Sequence, residues 1–212
     1  MTTTNRIFAV ALLFTSACDD VTSEDPLDTH HHGLTTTLVL YFTPTGGGET
    51  LSFTWADPED DGNPIIDDIF LPDGSDHNHH DAMSYTLDVE VWNELEDPIT
   101  DVTPEIESLD TEHQVFFTGS AVMGPATGAN TDAIIEQAYA DSDANGLPLG
   151  LTNTITTRDW GDGELTVTLR HLPPENGQDV KTEGLANDVA LTGFGSIGGD
   201  NDIQATFPIE VE

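Results

Sequence analysis

The sequence predicts an all-β fold, a single antiparallel β-sandwich of about eight strands with one short helix. Apolar residues alternate or run over strand lengths in many short segments, and Gly, Pro, Asp and Asn bound these segments. Hydrophobic residues make up 36% of the 212 residues, which is enough for a packed core. An internal repeat, described below, leaves a two-domain arrangement as the alternative.

The predicted strands are short, and the last two show the alternation most clearly. In the first of these, Leu165, Val167 and Leu169 share one face of the strand. The final strand places Ile203, Ala205, Phe207, Ile209 and Val211 on one face. The full set of predicted strands is 34–42, 50–56, 84–92, 114–118, 133–140, 151–157, 164–171 and 203–211.

One helix is predicted between strands, starting near Thr103. The Thr103 side chain can cap the helix, Pro104 suits its first position, and Glu105 lies where the helix dipole favours an acid. Ile106 and Leu109, three residues apart, would dock the helix on a sheet.

The N-terminus carries an export signal that ends at the only cysteine, Cys18. Arg6 is followed by an apolar stretch of about eight residues and then by Thr15-Ser16-Ala17-Cys18, a stretch too short to span a bilayer as a helix. The pattern resembles a bacterial lipobox, which implies that Cys18 becomes the acylated first residue of the mature chain. An ordinary secretory peptide that contains a cysteine is the alternative.

This signal predicts the domain organisation and the location. Residues 1–17 form the lipoprotein signal peptide, residues 18–33 form a flexible acidic tether, and residues 34–212 form the β-sandwich domain. We expect the protein in the cell envelope, held to a bacterial membrane by its lipid anchor and either periplasmic or exposed at the surface.

The charge balance is strongly acidic, with 40 acidic residues against 4 basic ones and a formal net charge of -36. Affinity for nucleic acids comes from Lys and Arg on phosphates, so this balance excludes a nucleic-acid partner. Self-repulsion on this scale destabilises a compact state unless salt or bound cations offset it.

Two acidic loops repeat one pattern without a gap. Both read aromatic-Ala-Asp-x-acid-x-(Asp/Asn)-Gly-x-Pro, over residues 55–64 and 139–148. Oxygen ligands at alternate positions followed by Gly are what the first half of a calcium loop requires. The sequence therefore predicts calcium ligands at Asp57, Glu59, Asp61, Asp68, Asp141, Asp143 and Asn145.

Each loop also departs from an EF-hand. A strand precedes each loop, and Pro64 and Pro148 replace the usual aliphatic residue. Asp67 or Asp68 could complete the first loop, while the second needs an acid from elsewhere. The alternative is that Asp, Asn and Gly serve turn geometry alone.

The eight histidines suggest a second kind of metal site. His77, His79 and His80 lie in a loop between Asp76 and Asp81, and another cluster, at residues 30–32, lies in the tether. Closely spaced imidazoles can bind zinc or copper. The alternative function is therefore a zinc- or copper-binding envelope lipoprotein that uses the histidine-rich loop.

His113 and His171 differ because each adjoins a predicted strand end next to a charged residue. They could pair as metal ligands or as an acid and base, or each could simply bond a sheet edge or loop. The sequence contains no nucleophile elbow, His-Glu-x-x-His motif or phosphate-binding glycine loop. We therefore predict that the protein is not an enzyme.

Several short segments together resemble a set of short secreted lipoproteins found in Bacteroidota and related environmental bacteria. The resemblance covers most of residues 34–211 and implies a compact exported β-domain, without an assigned activity. The matching segments are Thr50 to Asp57 with Gly62-Asn63-Pro64, Val91 to Glu94, Glu112 to Gln114 before Phe116-Phe117, Asp141 to Gly150, and Leu169 to His171.

The expected function is therefore a lipid-anchored β-sandwich of the cell envelope, stabilised by calcium and acting as a binding or structural module. Its partner would be an envelope protein or a glycan.

Overall fold

The described strands form two separate sheets. A computed structural model describes residues 35–74 and 81–212, which belong to one compact unit. In chain order the described strands are β1 (Thr37–Pro44), β2 (Leu51–Ala56), β3 (Ile65–Ile66), β4 (Ile69–Leu71), β5 (Ser84–Asn93), β6 (Thr100–Asp101), β7 (His113–Thr118), β8 (Val122–Met123), β9 (Ile135–Tyr139), β10 (Thr152–Thr157), β11 (Gly161–His171) and β12 (Asp200–Val211).

The larger sheet has the strand order β3-β2-β1-β5-β10-β9-β8, with β6 paired to β5. The smaller sheet has the order β4-β12-β11-β7. Each strand predicted from the sequence coincides with an observed one, so the all-β class is confirmed. The described residues also contain β3, β4, β6 and β8, which have only two or three residues each and are too short to show a periodicity.

The prediction of a purely antiparallel arrangement is wrong at two strand pairs. β4 runs parallel to β12, and β8 runs parallel to β9. Both parallel pairs involve one of the very short strands, and the pairing direction of such a strand follows from the path of the chain rather than from its own pattern.

One continuous buried cluster takes side chains from both sheets. Leu38, Leu40 and Phe42 of β1 are fully buried in it, as the alternation predicts. Phe207 and Leu165 enter the same cluster from the smaller sheet. Burial of each such side chain contributes about 1.5–3 kcal/mol, so this cluster is the main stabilising element.

The predicted helix is present as α1 (Thr103–Ser108), but Thr103 does not cap it. Val102 occupies the capping position and no side chain caps the helix. The Thr103 hydroxyl instead accepts the Val91 N–H at 2.9 Å, which ties the helix to β5. Ile106 is buried in the main cluster, as predicted, whereas Leu109 follows the helix end, is only half-buried and does not belong to that cluster.

A second helix, α2 (Leu185–Thr192), was not predicted. Leu185 and Val189 lie four residues apart and pack with Phe116 of β7 in a second buried cluster. Gly193, with φ 77°, ends the helix in a conformation that favours glycine. Of the helices in residues 35–74 and 81–212, none is both long enough and apolar enough to cross a membrane.

Candidate functional site

The first acidic loop follows β2 and is organised by its own carboxylates. Asp57 accepts the N–H groups of Asp61 at 3.1 Å and of Gly62 at 2.8 Å. Asp61 in turn accepts the Asn63 N–H at 3.0 Å. Gly62 has φ 79°, which allows the tight turn that these bonds require.

The same carboxylates border an open cavity. Asp57, Glu59, Asp61 and Asn63 line a surface cavity of about 250 Å³. Asp68, directly before β4, lines instead a separate cavity of about 220 Å³ beside Asp162 and Glu210. The fold therefore does not bring Asp68 to the cavity that the first loop borders.

The second loop uses the same residue types in different bonds. Asp141 accepts the N–H groups of Gly150 at 2.6 Å and of Thr152 at 2.8 Å. Asp143 accepts the Asn145 and Leu147 N–H groups, both at 2.8 Å. Asn145 thus contacts Asp143 through its backbone N–H and not through its side chain. The Asp141 carboxylate ties the loop to the start of the strand that follows.

A lysine side chain supplies the positive charge at this second loop. Nζ of Lys181 lies 2.8 Å from Oδ2 of Asp143 and donates to the backbone oxygen of Asp110 at 2.8 Å. The Asp110 carboxylate accepts the Ala144 N–H at 2.9 Å, which joins the loop to the segment before β7. An ammonium therefore lies against Asp143, one of the carboxylates that the sequence pattern assigned to calcium.

Burial and charge pairing shift the pKa values of Lys181 and Asp143 in opposite directions. Burial lowers the pKa of Lys181 from its ordinary value, and the Asp143 carboxylate opposes that shift. For Asp143, burial raises the pKa, but hydrogen bonds from Lys181 and from the Leu147 N–H outweigh it and hold the pKa below the ordinary value. Asp143 therefore stays ionised at neutral pH.

Every cationic side chain in the described part of the chain is already engaged away from the first loop. Arg158 pairs with Glu136 at 3.9 Å, and Lys181 pairs with Asp143. Arg170 donates to Asn201 at 2.7 Å and to the backbone oxygen of Gly199 at 2.6 Å. The fourth basic residue, Arg6, belongs to the predicted signal peptide. The acids of the first loop thus have no cationic side chain of residues 35–74 and 81–212 to neutralise them.

The predicted metal ligands do not form a closed site. Among residues 35–74 and 81–212, no three His, Cys, Asp or Glu side chains are grouped closely enough to hold a metal ion. His77, His79 and His80, the proposed zinc or copper ligands, lie outside the described residues, as do Cys18 and residues 18–33. Those assignments stay predictions.

His113 and His171 come together at one end of the smaller sheet. They are register partners on β7 and β11, and their rings stack with centroids 4.9 Å apart and planes 9° from parallel. Nδ1 of His113 lies 2.9 Å from the Leu109 backbone oxygen, which can only accept, so Nδ1 donates. The two rings are therefore neighbours, and His113 also bonds a loop carbonyl, as the alternative interpretation of these residues expects.

Two carboxylates flank the stacked rings. Asp202 Oδ2 lies 3.7 Å from Nε2 of His113, and Glu112 Oε2 lies 3.8 Å from Nε2 of His171. Asp202 sits at a register shift of β12, since Leu169 pairs with Ile203 and the next β11 residue pairs with Asn201. Burial, aided by the charge of Asp200, raises the pKa of Asp202 to about 7.

Parallel stacking limits what these rings can do. The nitrogen lone pairs of an imidazole lie in the ring plane, so two stacked rings cannot direct them at one shared ion without rotating. The two imidazoles and two carboxylates instead form a compact group, in which each carboxylate lies 3.7 or 3.8 Å from one ring nitrogen. In this geometry His113 and His171 do not direct their nitrogens at one metal ion.

Comparison of the chain with known protein families, with curated proteins and with solved structures finds no match.

Sequence reasoning missed Lys181, Glu112 and Asp202 as partners of the predicted residues. Lys181 carried one signal, since it is the only lysine in a strongly acidic chain. Asp202 carried none, because it reaches His113 only through the register shift between two strands distant in sequence.

Proposed function

We propose that this protein is a lipid-anchored binding module of a bacterial cell envelope, built as a β-sandwich and stabilised by calcium at its first acidic loop. It acts by binding an envelope protein or glycan rather than by catalysis. The shared buried cluster supports the sandwich, and the signal that ends at Cys18 supports the anchor.

The contrast between the two matched loops carries the calcium proposal. In the second loop the ammonium of Lys181 lies 2.8 Å from Asp143 and compensates the charge of that carboxylate. The first loop has Asp57, Glu59 and Asp61 around an open cavity and no cationic side chain of the described residues beside them. An external cation would supply there what Lys181 supplies in the other loop.

Calcium suits this position better than magnesium does. Calcium accepts six to eight oxygens in a flexible geometry and readily uses backbone carbonyls and water beside a few carboxylates. Magnesium requires a strict octahedron and keeps its waters. The loop would close on the ion as the Asp57, Glu59 and Asp61 carboxylates turn toward it.

Thermal unfolding tests the proposal. At a tenfold excess of calcium over its Kd, binding to the folded state adds about 1.4 kcal/mol. For a domain of this size that raises the Tm by about 3–5 °C. The measurement compares calcium, magnesium and chelator at constant ionic strength.

Two matched double variants complete the experiment. Asp57→Asn with Asp61→Asn should remove the calcium response, because it removes two ligands at the first loop. Asp179→Asn with Glu183→Gln removes the same charge at exposed positions and should keep the response. An equal response to magnesium, or equal responses in both double variants, would show general charge screening and overturn the calcium site.

A further inference from the structure

We propose that the cavity between β7, β9 and the first turn of α2 binds a small uncharged molecule that carries a hydrogen-bond acceptor. This inference rests neither on the lipid anchor nor on the calcium loop, and it assigns a ligand class to a place that the sequence did not indicate.

The cavity has the size and the lining of a small-molecule site. Its volume is about 420 Å³, within the range of about 300–1,000 Å³ that is typical of ligand pockets. Pro125, Pro148 and Leu185 line it with apolar surface, while Gln114 and Tyr139 add polar groups. A mainly apolar wall with a few polar groups orients a ligand and excludes water.

The two polar side chains are held in place before any ligand arrives. The Tyr139 hydroxyl donates to the Val115 backbone oxygen at 3.0 Å and accepts from Gln114 Nε2 at 3.3 Å. Gln114 is only 2% exposed, and burial raises the pKa of Tyr139, so its hydroxyl keeps its proton. Preorganised groups of this kind lower the entropic cost of binding.

The first turn of α2 supplies donors at the rim. Gly184 precedes the helix, and no side chain caps it. Within the described residues, the backbone N–H groups of Ala186 and Asn187 bond no backbone or side-chain acceptor, and both residues line the cavity. Backbone donors at a helix N-terminus attract a ligand acceptor such as a carbonyl or hydroxyl oxygen.

The electrostatic setting selects an uncharged ligand. Among the described residues that line the cavity, none has a charged side chain. An anion would be repelled by the net charge of -36, and a cation would find no carboxylate among the described lining residues to pair with. A neutral molecule with an acceptor meets neither penalty.

Ligand-observed NMR with three probes of matched size tests the inference on the protein carrying Cys18→Ser. We expect saturation transfer to benzamide, which is neutral and has a carbonyl. For the charged probes benzoate and benzylamine we expect no saturation transfer from the cavity. In protein-observed spectra, benzamide should shift the backbone amides of Ala186 and Asn187.

Two tryptophan variants locate the binding. Thr182→Trp places a large side chain at an exposed position that lines the cavity and should abolish the benzamide signal. Gln178→Trp adds the same side chain at an exposed position outside the lining and should keep it. If Thr182→Trp fails to fold, the amide shifts decide alone. Benzamide binding without shifts at Ala186 and Asn187, or no binding, would overturn the inference.

Discussion

Lys181 and Asp143 form an ion pair whose Nζ and Oδ2 atoms lie 2.8 Å apart, with side chains only 1% and 0% exposed. Removing one partner of a buried pair leaves the other charge without compensation, which costs far more than the pair contributes as a whole. The second acidic loop therefore depends on a residue outside its own pattern.

Lys181→Met should destabilise the protein by about 3–5 kcal/mol, because the Asp143 carboxylate stays buried without its ammonium. Chemical denaturation at neutral pH measures the change. The double variant with Asp143→Asn should recover part of the loss, since it removes the stranded charge. A Lys181→Met protein as stable as the parent would mean that the pair does not hold the loop.

Asp202→Asn should change how stability depends on pH. The folded pKa of Asp202 is about 7, above the ordinary value of 3.8, so the folded state keeps a proton that the unfolded state has released between these values. The stability from Asp202 is therefore complete below about pH 4 and is lost as pH rises through about 7.

Because Asn does not titrate, the variant should gain stability relative to the parent as pH rises from 5 to 8. Thermal unfolding of both proteins at several pH values measures the difference. Glu112, His113, His171 and Asp200 also lie around Asp202. Asp179→Asn, at an exposed position that is not among these groups, is the control for a general loss of negative charge. A difference between Asp202→Asn and the parent that is constant across pH would contradict the assigned shift.

Gly199→Ala should destabilise the protein more than Gly146→Ala does. Both glycines have positive φ, 75° and 82° respectively, so alanine at either position costs about 1–2 kcal/mol of backbone strain. At Gly199 the added Cβ would also collide with the backbone oxygen of His171, while at Gly146 nothing lies within 4 Å. Equal losses of unfolding free energy for the two variants would show that this close approach between strands is not required.

Cys18→Ser should release the protein from the membrane, because the only cysteine is the only residue of the chain that a lipobox could acylate. Phase partition in detergent, with the parent protein as reference, measures the release. If the variant still entered the detergent phase, the lipid anchor would be excluded.

The strands were predictable because each carries its own evidence in alternating apolar residues. Leu165, Val167 and Leu169 face one way in the sequence pattern and are buried together in the structure. The short strands β3 and β8 have only two residues each, so no alternation marks them. Helix α2 has two apolar residues at helical spacing and a terminal glycine, which is a weak sequence signal for a helix. Its packing against Phe116, which the sequence does not show, stabilises it.

The sequence by itself determined the β class, the positions of the main strands and the acidity of the two matched loops, because these depend on local pattern and composition. The tertiary structure decided which loop received a lysine, which carboxylates flank His113 and His171, and where a cavity opens beside α2. In each case strand register and packing bring together residues that are distant in the chain. A local sequence pattern carries no information about such contacts. Two loops with one sequence pattern therefore ended in different electrostatic settings.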